Sequence, residues 1–176
     1  MSIAFVPENR LCHSAVPELT LSENILISQF PNNNFTKNGI INHSNIDTQT
    51  KKVIDQFNVV TPGIDAKASS LSGGNLQKFV IGREILKKPR IFVVNQPTWG
   101  VDAAAAAFIR QSILNLASHG SAVVVISQDL DELFEICDTF AVLTNGRLSK
   151  SYDMRNLSSE DVGLLMGGSD LDLKNS

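Results

Sequence analysis

At 176 residues, 43% hydrophobic and 19% charged, the chain has the length of about one domain and enough apolar side chain to bury a core, which excludes a largely disordered protein. Fifteen Lys and Arg against 18 Asp and Glu leave a net charge of −3, which argues against a nucleic-acid binder held by charge. The longest aliphatic runs, residues 103–109 and 122–126, fall far short of the ~20 residues that span a bilayer. No basic-then-apolar leader opens the sequence. Cys12 and Cys137 stand too far apart for a metal spacing or a disulfide framework, and His13, His43 and His119 are scattered, so a reduced cytosolic chain without a metal cluster is expected.

In chain order, residues 3–6 form a short apolar run stopped by Pro7 and predict a strand entering a loop. Thr20-Leu-Ser-Glu23 has capping-box spacing and predicts a helix over about 21–27. The Asn-rich text from 29 to 45 reads as a surface loop, followed by a helix over about 47–57. Gly73-Gly74 precedes an amphipathic segment that must end before Pro89. Residues 91–94 and 122–126 are fully apolar strands; between them Asp102 can cap a helix reaching about 118. Residues 130–136 read as a helix with acids in its first turn, where the macrodipole favours them. Asn145-Gly146 suits a type I′ turn between 140–143 and 148–152, and 158–166 reads as a last helix before a frayed tail. Fully apolar strands alternating with helices argue an α/β fold whose parallel sheet is covered on both faces.

The string Leu71-Ser72-Gly73-Gly74-Asn75-Leu76-Gln77-Lys78 opens a helix with a hydroxyl and two side-chain-free residues. Backbone N–H groups at such a start point outward, where the dipole favours an anion. Taken alone, a capping serine with glycines in a tight entry turn explains it equally well. It is followed by Arg90 and the strand-to-loop text Ile91-Phe-Val-Val-Asn-Gln-Pro-Thr-Trp-Gly-Val-Asp102, then by Ser127-Gln128-Asp129-Leu130-Asp131-Glu132. Polar residues at the ends of apolar strands are where open α/β sheets place ligand chemistry. In this order and spacing the three segments resemble the ATP-binding-cassette (ABC) ATPases: LSGGNLQK their signature motif, VVNQPTWGVD the Walker B strand and D-loop, ISQDLDE the switch segment. FVPENR, VPELTLSEN and TPGIDAKASSLSGGNLQK are further similar to the second cassette of the subunits that power simple-sugar and nucleoside importers. There the Q-loop region reads like VPEDR, which places Glu8 at the Q-loop position.

The resemblance covers residues 5–166 and implies an α/β fold: a truncated P-loop-NTPase-like cassette, with a helical signature subdomain at about 20–86, a parallel-sheet remnant at about 3–7 and 90–152, a C-terminal helix at 158–166 and a disordered tail at 169–176. None of the 11 glycines is followed by lysine, so G-x-x-x-x-G-K-[ST] does not occur, and the expectation is that the N-terminal part of a cassette is absent. The family arrangement as read here sets the strand at 91–94 beside the P-loop strand, which predicts an unpaired edge there and open cover over Phe92, Val94, Val123 and Val125.

The resemblance also implies roles. Ser72, Gly73 and Gly74 would meet the γ-phosphate of ATP held by a partner cassette, with Gln77 and Lys78 as outer neighbours and Asp102 reaching across the dimer seam. Three positions depart from the family pattern. Asn95 replaces the carboxylate that helps hold Mg²⁺, losing the charge a hard cation prefers. Gln96 replaces the glutamate that polarises water, and an amide is no general base. Gln128 replaces the switch histidine and cannot carry positive charge. Trp99 is expected in core or interface packing, and Glu132 and Glu135 on a solvated helix face. ATP and Mg²⁺ are therefore expected only in a composite site shared with a P-loop-containing cassette, and none on the chain alone. The implied partners are that cassette and a membrane permease, gripped through about residues 8–24 on the cytoplasmic face of the inner membrane, with no nucleic acid. An inactive remnant of a split or decaying gene is the alternative, and a non-transport cassette protein fits the VPE…LTLSEN text less well.

Overall fold

Local sequence rules account for most element boundaries in the computed structural model, which describes residues 2–29, 35–37 and 40–168. Strand β1 (Ile3–Val6) ends at Pro7, and α1 (Leu21–Gln29) starts in the expected capping box. There the Thr20 N–H donates to Glu23 Oε2 at 2.8 Å and the Glu23 N–H to Thr20 Oγ1 at 3.1 Å. The short strands β2 (Thr36–Lys37) and β3 (Ile40–Ile41) pair antiparallel within the segment expected to be loop. Helix α2 (His43–Gln56) begins earlier than the expected 47, because Asn42 is an N-cap whose side chain accepts the Asn45 N–H at 3.3 Å. Helix α3 (Gly73–Ile85) follows its cap Ser72, and β4 (Ile91–Asn95) follows α3. Asp102 caps α4 (Ala103–Ser118) by accepting the Ala105 N–H at 2.9 Å, and β5 (Ala122–Ile126) follows.

The chain divides into two units, the first ending at Gln128 and the second beginning at Asp129. In the second, Asp129 caps α5 (Leu130–Ile136), β6 (Thr139–Phe140) pairs with β9 (Tyr152–Asp153), and β7 (Leu143–Thr144) pairs with β8 (Arg147–Leu148). Asn145 and Gly146 join β7 to β8 at φ of 49° and 73°, the left-handed pair that a type I′ turn demands. Helix α6 (Ser159–Met166) starts in a capping box of Ser158 and Asp161. The tail expected to fray at 169–176, and part of the Asn-rich segment, lie outside the described residues. Among the described residues no helix is long and apolar enough to cross a membrane.

In the first unit β1, β4 and β5 form one parallel sheet in the order β1-β4-β5, with Val6, Val94 and Val125 in register. Two expectations need correction. The sheet does not continue into 127–152, since β6 to β9 pair only among themselves. Strand β4 is also no open edge, because β1 and β5 flank it; the strands with one neighbour are β1 and β5.

Alternation along each strand sends side chains to opposite faces. Ala4, Val6, Phe92 and Val94 are buried in the core with Phe79 and Val80 of α3, Ile109 and Ile113 of α4, Leu21 and Ile25 of α1 and Val53 of α2. Phe92 and Val94 are thus covered, contrary to expectation, and Val123 and Val125 are half-buried against the same core. The bare side chains are their neighbours on the opposite face: Ile3, Phe5, Val124 and Ile126 are 64%, 56%, 49% and 49% exposed. Among the described residues one face of this parallel sheet is well covered, where the pattern predicted two.

Candidate functional site

Helix α3 begins at the surface. Ser72 has extended backbone, with φ −61° and ψ 155°, and its Oγ accepts both the Asn75 N–H at 3.4 Å and the Asn75 side-chain amide at 2.9 Å. Both acceptor positions are thereby used inside the chain, so the hydroxyl proton is left to donate outward. Gly73 is exposed and Gly74 half-exposed. Neither has a positive φ. A Cβ on Gly74 would meet Ala105 Cβ and Asp102 Oδ2 at an ordinary 3.5 Å, and one on Gly73 would meet only the flexible Arg10 tip at 3.0 Å and Gly100 O at 3.6 Å. Backbone conformation therefore does not require either glycine, and packing does not require Gly74, yet glycine within a helix costs roughly 0.5–1 kcal/mol relative to alanine.

A cavity of about 330 Å³ adjoins this start, lined by Ser72, Gly74, Asn75, Lys78, Asp102 and Asn58 among others. Lys78 is committed there, donating Nζ to Asn58 O at 2.5 Å, and Asn75 Oδ1 accepts the Val60 N–H at 2.9 Å. Asp102 is exposed, with one oxygen beside Gly74 and the other capping α4. Gln77 is not an outer neighbour of this surface: it is 1% exposed and donates Nε2 to Pro97 O at 2.8 Å. At the fifth position of α3 it faces the core and ties the helix to the turn that follows β4.

Parallel pairing brings the remaining candidates to one end of the sheet. Glu8 is exposed just beyond β1, Asn95 is half-buried at the end of β4, and Gln128 is exposed just beyond β5. Gln96 is 7% exposed and sits in the left-handed region at φ 51°. Such a conformation costs about 1–2 kcal/mol without glycine; here the Gln96 N–H donates to Ile126 O at 2.7 Å and Gln96 O accepts the Trp99 N–H at 3.3 Å. Trp99 itself is 65% exposed, so of the expected core or interface packing the core alternative does not hold. Glu132 is also corrected: α5 turns Glu132 and Leu133 inward, leaving Asp131 and Glu135 exposed. Among the described residues no three His, Cys, Asp or Glu side chains gather as a metal site. Asn95 and Gln96 bring no charge, so the donor set does not fit a resident Mg²⁺.

Arg10 was missed at the level of sequence. Its guanidinium lies beside both Gly73 and Gly100, with Nη1 3.0 Å and Nη2 3.7 Å from where their Cβ atoms would stand, and burial lowers its pKa. The signal was present in the VPENR text that located Glu8.

Three curated proteins align along nearly the whole chain. Nucleoside import ATP-binding protein NupA of Lactococcus lactis subsp. cremoris is 34% identical over 97% of this chain and 34% of its own length. Guanosine import ATP-binding protein NupO of Bacillus subtilis is 32% identical over 95% and 33% respectively. Galactose/methyl galactoside import ATP-binding protein MglA of Escherichia coli is 36% identical over 90% and 31%. The chain is a homologue of these import ATP-binding proteins. It spans about a third of the length of these curated relatives. Among solved structures, the dimeric post-hydrolysis state of an ATP-binding cassette bound to ADP and Pi superposes with a TM-score of 0.72 at 22% identity, over 89% of this chain and 64% of that one. An ATP-binding subunit of an ABC transporter gives 0.72 at 18% identity, over 94% and 68%. These two likenesses establish the cassette fold. No family model matches the chain.

Proposed function

We propose that this cassette polypeptide is the ATP-binding component, in part, of an importer for simple sugars or nucleosides, and that it supplies its signature to ATP held by a second, P-loop-bearing cassette. The observation that carries the reading is the start of α3, where Ser72 keeps a free hydroxyl proton and Gly74 has no conformational or packing reason to be glycine. Backbone N–H groups at a helix start and a serine proton suit the terminal phosphate of a nucleotide. The names of the relatives support the solute class, and a position of this chain on the membrane's cytoplasmic face would follow from a permease bound through about residues 8–24.

Ser72 and the N–H groups of Gly73 and Gly74 would bind and orient the phosphate, and Asp102 would face the seam between cassettes. Mg²⁺ and the water-polarising carboxylate would come from the partner, since Asn95, Gln96 and Gln128 supply neither charge nor a base. The test is to purify the assembly from membranes through a tag on this chain and measure phosphate release. An importer component gives a complex that contains an integral-membrane permease and hydrolyses ATP, with the rate falling at least ~10-fold in Gly74→Asp through repulsion of phosphate. No such complex, or a rate indifferent to Gly74→Asp, would favour the inactive remnant.

A further inference from the structure

Arg10 stands in the loop after β1, and the backbone around it is tied down. The Ala15 N–H donates to Arg10 O at 2.9 Å, the Cys12 N–H to Ala15 O at 2.8 Å, and the Ser14 hydroxyl to Asn9 O at 3.2 Å. From this fixed base the side chain lays its charged tip against two glycines. Nη1 is 3.0 Å from where a Gly73 Cβ would stand, and Nη2 is 3.7 Å from the Gly100 equivalent. Gly100 has a positive φ of its own, but Gly73 does not, so at Gly73 the missing Cβ serves the approach of the guanidinium.

An arginine held by packing alone buries its methylene stem and keeps its head in water. Here the head itself lies against backbone, half-buried. Burial is the one cause that lowers its pKa, and among the described residues no carboxylate raises it back. A cation partly withdrawn from water with nothing to repay the cost points to an acceptor from outside the chain. The neighbouring charges narrow what that acceptor is. Asp102 puts a carboxylate oxygen 3.5 Å from where a Gly74 Cβ would stand, which by itself disfavours an anion at the helix start. Lys78 is committed to Asn58 O and does not offset it. Arg10 does, and its planar fork matches two oxygens of one phosphate.

We propose that Arg10 is a phosphate-binding residue, its guanidinium joining the Ser72 hydroxyl and the Gly73 and Gly74 N–H groups on the terminal phosphate of ATP presented by the partner cassette. The ligand rests on the proposed function; the inference adds a cation to a set of donors that are otherwise neutral.

Arginine labelling tests this side chain by side chain. The tagged chain is isolated from membranes with the proteins it holds and treated with phenylglyoxal, and modification of each arginine is read by mass spectrometry of its peptides. The readout is local, so it requires neither a monomer nor a sharp melt. ATP should slow modification of Arg10 at least about fivefold, the protection given by a ligand at four times its Kd, while exposed Arg147 labels at an unchanged rate. Adenosine should give no protection, and Gly74→Asp, which repels phosphate, should abolish it. In the same preparation Arg10→Gln should lower kcat/KM for ATP ~10–100-fold, the range for a hydrogen bond to a charged group, and Arg10→Lys, which keeps the charge and loses the fork, should recover part of the loss. An Arg10 that labels equally with and without ATP, in a preparation that hydrolyses ATP, overturns the proposal and leaves the importer reading intact. An Arg10 already protected before nucleotide is added is held by a carboxylate of another protein, which also overturns it. If neither permease nor hydrolysis accompanies the chain, the importer reading fails, and inorganic tripolyphosphate becomes the probe, compared with sodium chloride of equal ionic strength. Protection of Arg10 that Gly74→Asp abolishes then upholds the phosphate contact, and no protection refutes it.

Discussion

The bare face of the parallel sheet makes a quantitative demand on the 176-residue chain expressed alone. Ile3, Phe5, Val124 and Ile126 lie on one face with roughly half of each side chain in water. Full burial of such a side chain contributes ~1.5–3 kcal/mol, so covering the remaining half of all four contributes ~3–6 kcal/mol. That is on the order of the ~4–15 kcal/mol lost in bringing two molecules together. The outer edge of β5, an uncharged Ala-Val-Val-Val-Ile run with β4 on one side, adds unsatisfied backbone groups to the same surface. The chain should therefore self-associate in a concentration-dependent way, bind a hydrophobic dye and melt over a broad range. Phe5→Ser combined with Val124→Thr removes apolar area that folding does not bury, so fold stability should change by no more than about 0.5 kcal/mol per site. Association should weaken at least ~10-fold, the equivalent of 1.4 kcal/mol. Sedimentation velocity over a concentration series reads the association, and urea unfolding reads the stability. A parent chain that stays monomeric, melts sharply and binds no dye would refute the reasoning and mean that the face is closed in solution.

Three further outcomes are expected. The chain alone should show no steady-state phosphate release above background, since loss of a general base by itself costs ~10²–10⁴ in rate; turnover near that of an intact cassette would contradict this. Gly82→Ala should destabilise the chain by ~1–3 kcal/mol in urea unfolding, because its Cβ would stand 2.5 Å from ring atoms of the buried Phe57. Asp153 should titrate at about 2, held down by the Arg155 side chain first and the Arg155 backbone N–H second. Whatever stability this exposed pair gives is present above the unfolded carboxyl value of ~3.9 and is lost as pH falls toward 2, and Arg155→Gln should return Asp153 toward its ordinary value in an NMR titration.

Short-range chemistry was legible in the sequence because it is decided within a few residues. The box at Thr20, the caps at Ser72 and Asp102 and the Asn145-Gly146 turn all formed where spacing placed them. Asn42 shows the limit: one asparagine among six looked like loop text, and only its hydrogen bond to the Asn45 N–H marks it as a cap. Strand order was not legible, because apolar runs of equal quality carry no label for their neighbours, and β4 took the centre rather than the edge. Position along the chain carries no orientation, and orientation is what the site readings lacked. Gln77 and Lys78 sit side by side in sequence, yet Gln77 faces the core at Pro97 and Lys78 the surface at Asn58. A helix turn of 100° between neighbours separates a tether from a cavity wall, and only the packing of α3 sets its zero.

The two amides at the end of β4 are connected by the physics of burial, and that connection can be tested. Gln96 is 7% exposed, and its own backbone bonds to Ile126 and Trp99 fix it there. A carboxylate at this depth is tolerable beside a cation, but without one it is desolvated with nothing to repay the cost. Asn95 beside it carries no charge to hold such a cation, so a neutral amide is the side chain that suits position 96. Gln96→Glu should therefore carry a folded-state pKa raised above the unfolded value of ~4.3 by desolvation. A raised acid is fully compatible with folding below the unfolded pKa and loses stability as pH climbs through and beyond it. The variant should match the parent near pH 4 and fall ~1–3 kcal/mol below it at pH 8 in denaturant unfolding, the ordinary cost of an uncompensated buried polar group. Adding Asn95→Asp should deepen the loss without Mg²⁺, because like charges then share the site. If Gln96→Glu is equally stable at both pH values, the residue is not desolvated in solution, and the pairing of the two amides needs another cause.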